Sequence, residues 1–194
     1  MAEARIVPIE LPLAEEAAAG LRIGEMCELT GVVYTARDAA HKRMVETLDE
    51  GGELPFDVRG EVIYYTGPTP AKPGAVIGSA GPTTSGRMDP YTPRLLDIGL
   101  KGMIGKGGRS PEVVEAIRRN GAVYFAAIGG TAALLARCIK RVEMVAYEEL
   151  GTEAVRRLWV ERFPVVVVVD SLGGDQFAEG WKAFAGEAPG GAAG

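Results

Sequence analysis

The chain has 194 residues, of which 47% are hydrophobic and 24% charged, and carries a net charge of −5. That composition suits one globular domain with a real core, and the negative balance excludes the basic surface of a general nucleic-acid binder. Two cysteines, Cys27 and Cys138, fall short of a four-cysteine zinc site or the ligand set of a four-iron cluster, and so few cysteines make a reducing compartment the default.

Residues 1–20 read as an N-terminal arm, with an apolar alternation around Ile6-Val7-Pro8-Ile9 and a short helix or tether over 14–19. Glu3, Arg5 and Glu10 break up the apolar residues, so no signal peptide is expected. The longest uncharged apolar segment, Asn120 to Ala136, is shorter than the ~20 residues of a membrane span. The expectation is a soluble, cytoplasmic protein with no membrane partner. The domain itself is expected over 21–186, and the Ala/Pro/Gly tail over 187–194 is expected to be disordered.

Residues 21–35 predict a strand pair or one long strand, with β-branched and aromatic residues in the second part. A helix follows, with Thr35 expected as its cap, Asp38 three residues on, and Ala40, Met44 and Leu48 on a buried stripe. Arg37 and His41 share a face of this helix, and Arg37 lies at the end where anions bind. The alternative is a solvated basic face with a surface histidine. Glu61–Thr66 reads as a strand. Three prolines over 67–74 exclude a helix interior, and Ala75–Ser79 reads as a further strand.

Gly81-Pro82-Thr83-Thr84-Ser85-Gly86-Arg87 then packs three hydroxyls and a guanidinium into seven residues. By itself this is a loop; combined with other cations it suits an oxyanion, since Arg grips a carboxylate bidentately and the hydroxyls donate. A short helix over 93–99 is expected with Thr92 as cap. Leu100–Ile104 reads as a strand, followed by Gly105-Lys106-Gly107-Gly108-Arg109. This loop lacks the spacing of a phosphate loop, although Lys106 can serve any anion as a point charge. Ser110-Pro111-Glu112 starts a helix that Arg118-Arg119-Asn120-Gly121 ends. A buried strand over 122–127 leads to Gly129-Gly130, readable as an anion nest or as close packing, and to a helix over 132–136. Strands are expected over 140–147, 155–163 and 165–169. The alternation predicts an α/β fold with the loops at 35–41, 82–89, 105–109 and 129–131 gathered at one sheet edge.

Three motifs in this order carry a resemblance: Thr35-Ala36-Arg37-Asp38-Ala39-Ala40-His41-Lys42-Arg43, Gly81-Pro82-Thr83-Thr84-Ser85-Gly86-Arg87-Met88-Asp89 and Gly105-Lys106-Gly107-Gly108. Together they resemble the β subunit, or C-terminal domain, of class I iron–sulfur fumarases and tartrate dehydratases, with Asp89-Pro90-Tyr91-Thr92-Pro93 closer to the fumarases. The resemblance implies a swivelling β/β/α domain with a mixed sheet and flanking helices. It further implies reversible hydration of fumarate to (S)-malate, with tartrate dehydration or non-catalytic dicarboxylate binding as alternatives. A partner α subunit would bring the 4Fe-4S cluster, and this chain would contribute no metal ligand. Arg37, Arg87 and Lys106 then correspond to substrate-carboxylate ligands, joined by Thr84 and Ser85. Thr83 corresponds to a proton-transfer residue and His41 to an active-site position; the choice between Thr83 and His41 stays open.

Overall fold

The computed structural model describes residues 5–127 and 132–180. The expectations for Gly129, Gly130 and the 187–194 tail lie outside these residues.

Seven strands form one mixed sheet: β1 (Ile6–Glu10), β2 (Met26–Thr35), β3 (Val62–Tyr64), β4 (Gly102–Gly105), β5 (Val123–Ala126), β6 (Ile139–Ala146) and β7 (Val155–Val169). Their order is β1-β2-β3-β4-β5-β7-β6, and an extra β2–β7 pairing closes β2, β3, β4, β5 and β7 into a ring. β1 to β5 pair in parallel; β7 runs antiparallel to β2, β5 and β6. The helices are α1 (Glu15–Gly20), α2 (Asp38–Asp49), α3 (Thr92–Leu96), α4 (Pro111–Asn120), α5 (Ala132–Cys138) and α6 (Gln176–Glu179). This is the expected α/β fold with a mixed sheet and flanking helices. Among the described residues no helix is long and apolar enough to cross a membrane.

Alternation along the strands sorts the core into two layers. Val62, Tyr64, Ile104, Val123 and Phe125 face one buried cluster with Leu29, Leu158 and Val167. Their neighbours Ile63, Tyr65, Met103 and Tyr124 face a second cluster with Met44 of α2, Leu95 of α3 and Ile117 of α4. β3, β4 and β5 therefore bury both faces. At about 25 cal/mol per Å² of apolar surface, this double burial is the main force holding the ring and helices together.

Residues 26–35 form one strand with a register shift between Leu29 and Gly31, which resolves the choice left open above. The 155–163 and 165–169 segments are a single 15-residue strand. α4 carries the expected signals: the Val113 amide donates to Ser110 Oγ at 3.4 Å, and Gly121 closes the helix in the left-handed region at φ 58°.

Three local expectations are corrected. Residues 75–79 form no strand; they lie in a loop with Val76 51% exposed, because this short apolar run has no neighbouring strand to pair with. Thr35 does not cap α2. Arg37 is the N-cap, and the Thr35 hydroxyl donates to Ala154 O at 3.1 Å and accepts from the Arg156 amide at 3.0 Å. Thr92 is the first residue of α3 rather than its cap, and its hydroxyl donates back to Met88 O at 2.9 Å.

Candidate functional site

The parallel strands set the site, because the segments leaving their carboxyl ends emerge on one edge of the ring. β2 ends at Thr35 and hands the chain to Arg37. β4 ends at Gly105 and hands it to Lys106. The Thr83–Arg87 stretch returns to the same edge from β3: the Thr83 amide donates to Tyr65 O at 2.8 Å, and Thr66 bridges Pro82.

Backbone contacts join the second and third motifs directly. The Lys106 amide donates to Thr83 O at 3.3 Å, and the Ser85 amide donates to Lys106 O at 2.9 Å. Gly105 is required for this approach, since a Cβ there would overlap Ser85 Oγ. The hydroxyls form a directed chain. Lys106 N–H donates to Ser85 Oγ (3.1 Å), and Tyr124 O–H donates to the Gly107 carbonyl (2.8 Å). The 2.8 Å contact between Ser85 and Tyr124 therefore has Ser85 as donor. Burial pushes the Tyr124 phenol up to about 12, so it keeps the proton this chain requires.

The first motif joins through charge. Asp38 accepts from Arg87 at 2.7 Å and lies 3.6 Å from Arg37, whose guanidinium also pairs with Glu153 at 3.1 Å. Glu153 also accepts from the Ala39 amide at 3.0 Å, holding the first turn of α2. Arg37 is largely covered while Arg87 is half-exposed. Arg37 Nε and Asp38 Oδ1 are both buried without a hydrogen-bond partner. A buried guanidinium N–H with no acceptor retains its full demand for an oxygen. The Lys106 side chain is exposed and forms no ion pair among the described residues, and the half-buried Thr83 hydroxyl has no hydrogen-bond partner among them.

Two expectations change here. Ser85 is fully buried with its hydroxyl committed to Tyr124 and the Lys106 amide; it shapes the loop and has no free donor for an incoming carboxylate, whereas Thr84 is exposed. His41 is neither a surface histidine nor a near-neutral acid/base. It is fully buried, its Nδ1 donates to Arg37 O at 2.9 Å, and its ring meets Tyr65 edge-on. Because a carbonyl only accepts, Nδ1 carries the proton, and Nε2 is a buried lone pair without a donor. Burial is the main cause that lowers its pKa to about 4, reinforced by Arg109 and opposed by the Arg37 carbonyl and Asp38.

A second layer of residues lies beneath the motifs and was not singled out above. Arg109, with a fully buried side chain, pairs with Asp89 at 2.7 Å and donates to Thr92 Oγ1 at 2.7 Å and Tyr65 Oη at 3.3 Å. Asp89 ends the second quoted motif and Arg109 directly follows the third, where proximity to Arg87 and Lys106 was the available signal. Glu153 carries no local signal and reaches Arg37 only through the fold.

The arrangement sets Arg37 and Arg87 beside one another through Asp38 and ties Lys106 to Thr83 by its backbone, a grouping of cations and hydroxyls that suits a small polyanion. Cys27 is buried, its thiol pushed up to about 12 mainly by burial, and no group of three metal-ligating side chains occurs among the described residues. The donor set does not fit an iron–sulfur cluster held by this chain alone.

The family described as Fumarase C-terminus matches residues 1–180. Over 153 residues, 78% of this chain, the sequence is 44% identical to the anaerobic class I fumarate hydratase of Escherichia coli strain K12. It is equally similar to fumarate hydratase 1, mitochondrial, of Leishmania major. The chain spans 28% of the length of each of these relatives. It is 41% identical over 165 residues to a Methanocaldococcus jannaschii protein named "Putative L(+)-tartrate dehydratase subunit beta", covering 82% of this chain and 85% of that protein.

Proposed function

The chain belongs to the Fumarase C-terminus family, and on that premise we propose that it is the carboxylate-binding portion of a hydro-lyase. The reaction is reversible hydration of fumarate to (S)-malate, in a site shared with a cluster-bearing α subunit. The observation that carries the reading is Asp38, 2.7 Å from Arg87 and 3.6 Å from Arg37, which holds two guanidiniums side by side at the edge that Lys106 joins through its backbone. Arg37 and Arg87 grip the carboxylates, Lys106 adds a point charge and Thr84 adds a donor. Asp38 sets the two guanidiniums before substrate arrives, and a substrate carboxylate takes over part of its place between them.

Thr83 is the proton-transfer group in this reading, because its hydroxyl is free while the only lone pair of His41 is enclosed. A threonine hydroxyl is a poor base, so as its oxygen takes the proton from the malate carbon, its own proton passes to a carboxylate of the partner. His41 holds the Arg37 backbone in place. Since this chain's donors do not fit a cluster, the 4Fe-4S cluster belongs to the α subunit, and no step on this chain runs through it.

A second reading, dehydration of L-tartrate, is favoured by one observation: the protein named as a tartrate dehydratase β subunit is matched over most of its length. Anaerobic co-expression with a cluster-bearing partner, followed by assays on fumarate, malate and L-tartrate, tests both. Turnover of fumarate supports the first reading and turnover of tartrate alone supports the second. Dicarboxylate binding without turnover of any of the three leaves a binding module and overturns the proposed reaction.

A further inference from the structure

Beneath the motifs, Arg109 links elements that are far apart in the chain. Its Nε donates to Asp89 Oδ1 at 2.7 Å, one nitrogen reaches Thr92 Oγ1 at 2.7 Å and the other reaches Tyr65 Oη at 3.3 Å. The guanidinium lies 5.3 Å and 5.0 Å from the ring centroids of Tyr65 and Tyr124. The other Asp89 oxygen accepts from the Ser110 amide at 2.8 Å. Asp89 follows Arg87 by two residues, and Arg109 follows Lys106 by three. The pair therefore bolts the loop bearing Arg87 to the loop bearing Lys106. Ser85, Lys106 and Tyr124 form a second tie between the same two loops.

Burying a guanidinium is a weak route to stability, since desolvation consumes much of the Coulombic gain and an apolar replacement of similar volume is often no worse. What the buried Arg109 supplies is geometry. Its planar fork fixes three acceptors at set angles, which a point charge does not.

We propose that Arg109 is a positioning residue: through Asp89, Thr92 and Tyr65 it sets the distance between Arg87 and Lys106, two of the three cations that face the diacid. The proposal rests on the hydro-lyase reading above. It is specific in direction, because moving one grip relative to the other weakens the hold on a diacid whose two carboxylates lie a fixed distance apart.

The experiment uses the full chain reconstituted with its cluster-bearing partner, comparing wild type and Arg109→Lys well below the melting temperature of either. The lysine keeps the charge and loses the fork. The expected result is a fall in kcat/KM of about 10- to 100-fold, the scale of a misplaced binding group, carried mainly by KM. A lowered melting temperature with KM unchanged in the folded enzyme makes Arg109 merely structural and overturns the proposal. Where Arg109→Lys fails to fold, Thr92→Val removes one acceptor at nearly constant volume; a KM raised about 3- to 10-fold, the loss of one modest hydrogen bond, supports the proposal, and an unchanged KM overturns it. A wild-type complex that converts no diacid instead overturns the hydro-lyase reading and this inference with it. A converting wild type with indifferent variants overturns this inference alone.

Discussion

His41 makes the protein's stability dependent on pH as the pH falls below the ordinary histidine range. The ring is buried, its pKa lowered from 6.5 to about 4, and it is the only histidine in the chain. Below pH 6.5 the unfolded chain takes up a proton that the folded chain refuses until about pH 4. Stability therefore rises with pH across this window and is lost as pH falls from 6.5 towards 4. The full gap is worth roughly 3 kcal/mol, of which about 1 kcal/mol is lost between pH 7 and pH 5.5. Burial pushes Glu61 upward, which acts in the opposite sense and is present in any His41 variant too. Urea unfolding at pH 7 and pH 5.5 for wild type and His41→Gln isolates the histidine, with free energies from linear extrapolation. Wild type is expected to lose about 1 kcal/mol more than the variant on acidification. Equal losses in the two proteins refute the buried, neutral assignment.

Other outcomes follow from the same geometry. Arg87→Ala removes a charge-assisted grip worth ~1.5–3 kcal/mol, so kcat/KM of the reconstituted enzyme should fall about 10- to 150-fold; a wild-type value excludes Arg87 from the site. Gly105→Ala drives a methyl into Ser85 Oγ and should cost about 1–3 kcal/mol in urea unfolding, as overpacking does. Ser110→Ala removes the only side-chain cap of α4 and should cost ~1 kcal/mol, read from the same curves, without altering substrate KM. Met44→Ala empties a fully buried position of α2 and is expected to cost ~2–5 kcal/mol.

Features set by neighbours in sequence were legible before the fold was known. Ser110-Pro111 and Gly121 announce α4 at both ends because capping chemistry is local. Arg37 and Lys106 were legible because each lies just beyond an apolar run that forms a parallel strand, and Arg87 because three hydroxyls and two glycines precede it within seven residues. Features that depend on distant partners were not. Ala75-Val76-Ile77 has the composition of a strand, but a strand needs a neighbour, and none stands beside it. Thr35 looks like a cap until Ala154, just before β7, offers it a carbonyl and Arg156 of β7 an amide. Ser85 looks like a ligand donor until Tyr124, 39 residues on, claims its proton. The burial of His41 depends on Tyr65 and the residues around Arg109, which no spacing near position 41 announces. Glu153 reaches the first turn of α2 from 114 residues away.

β7 is the strand that closes the ring, and it follows both β2 and β5 in the chain. Until it emerges, β2 and β5 present raw edges to the cell, the condition that exposes an incomplete sheet to wrong pairings. Closure across more than a hundred residues of sequence is also slow compared with helix formation. Glu153, the counter-ion of Arg37, precedes this strand by two residues. The same event that seals the sheet thus brings in the acid that pairs with Arg37, so a growing chain gives Arg37 this counter-ion only once its ring is shut.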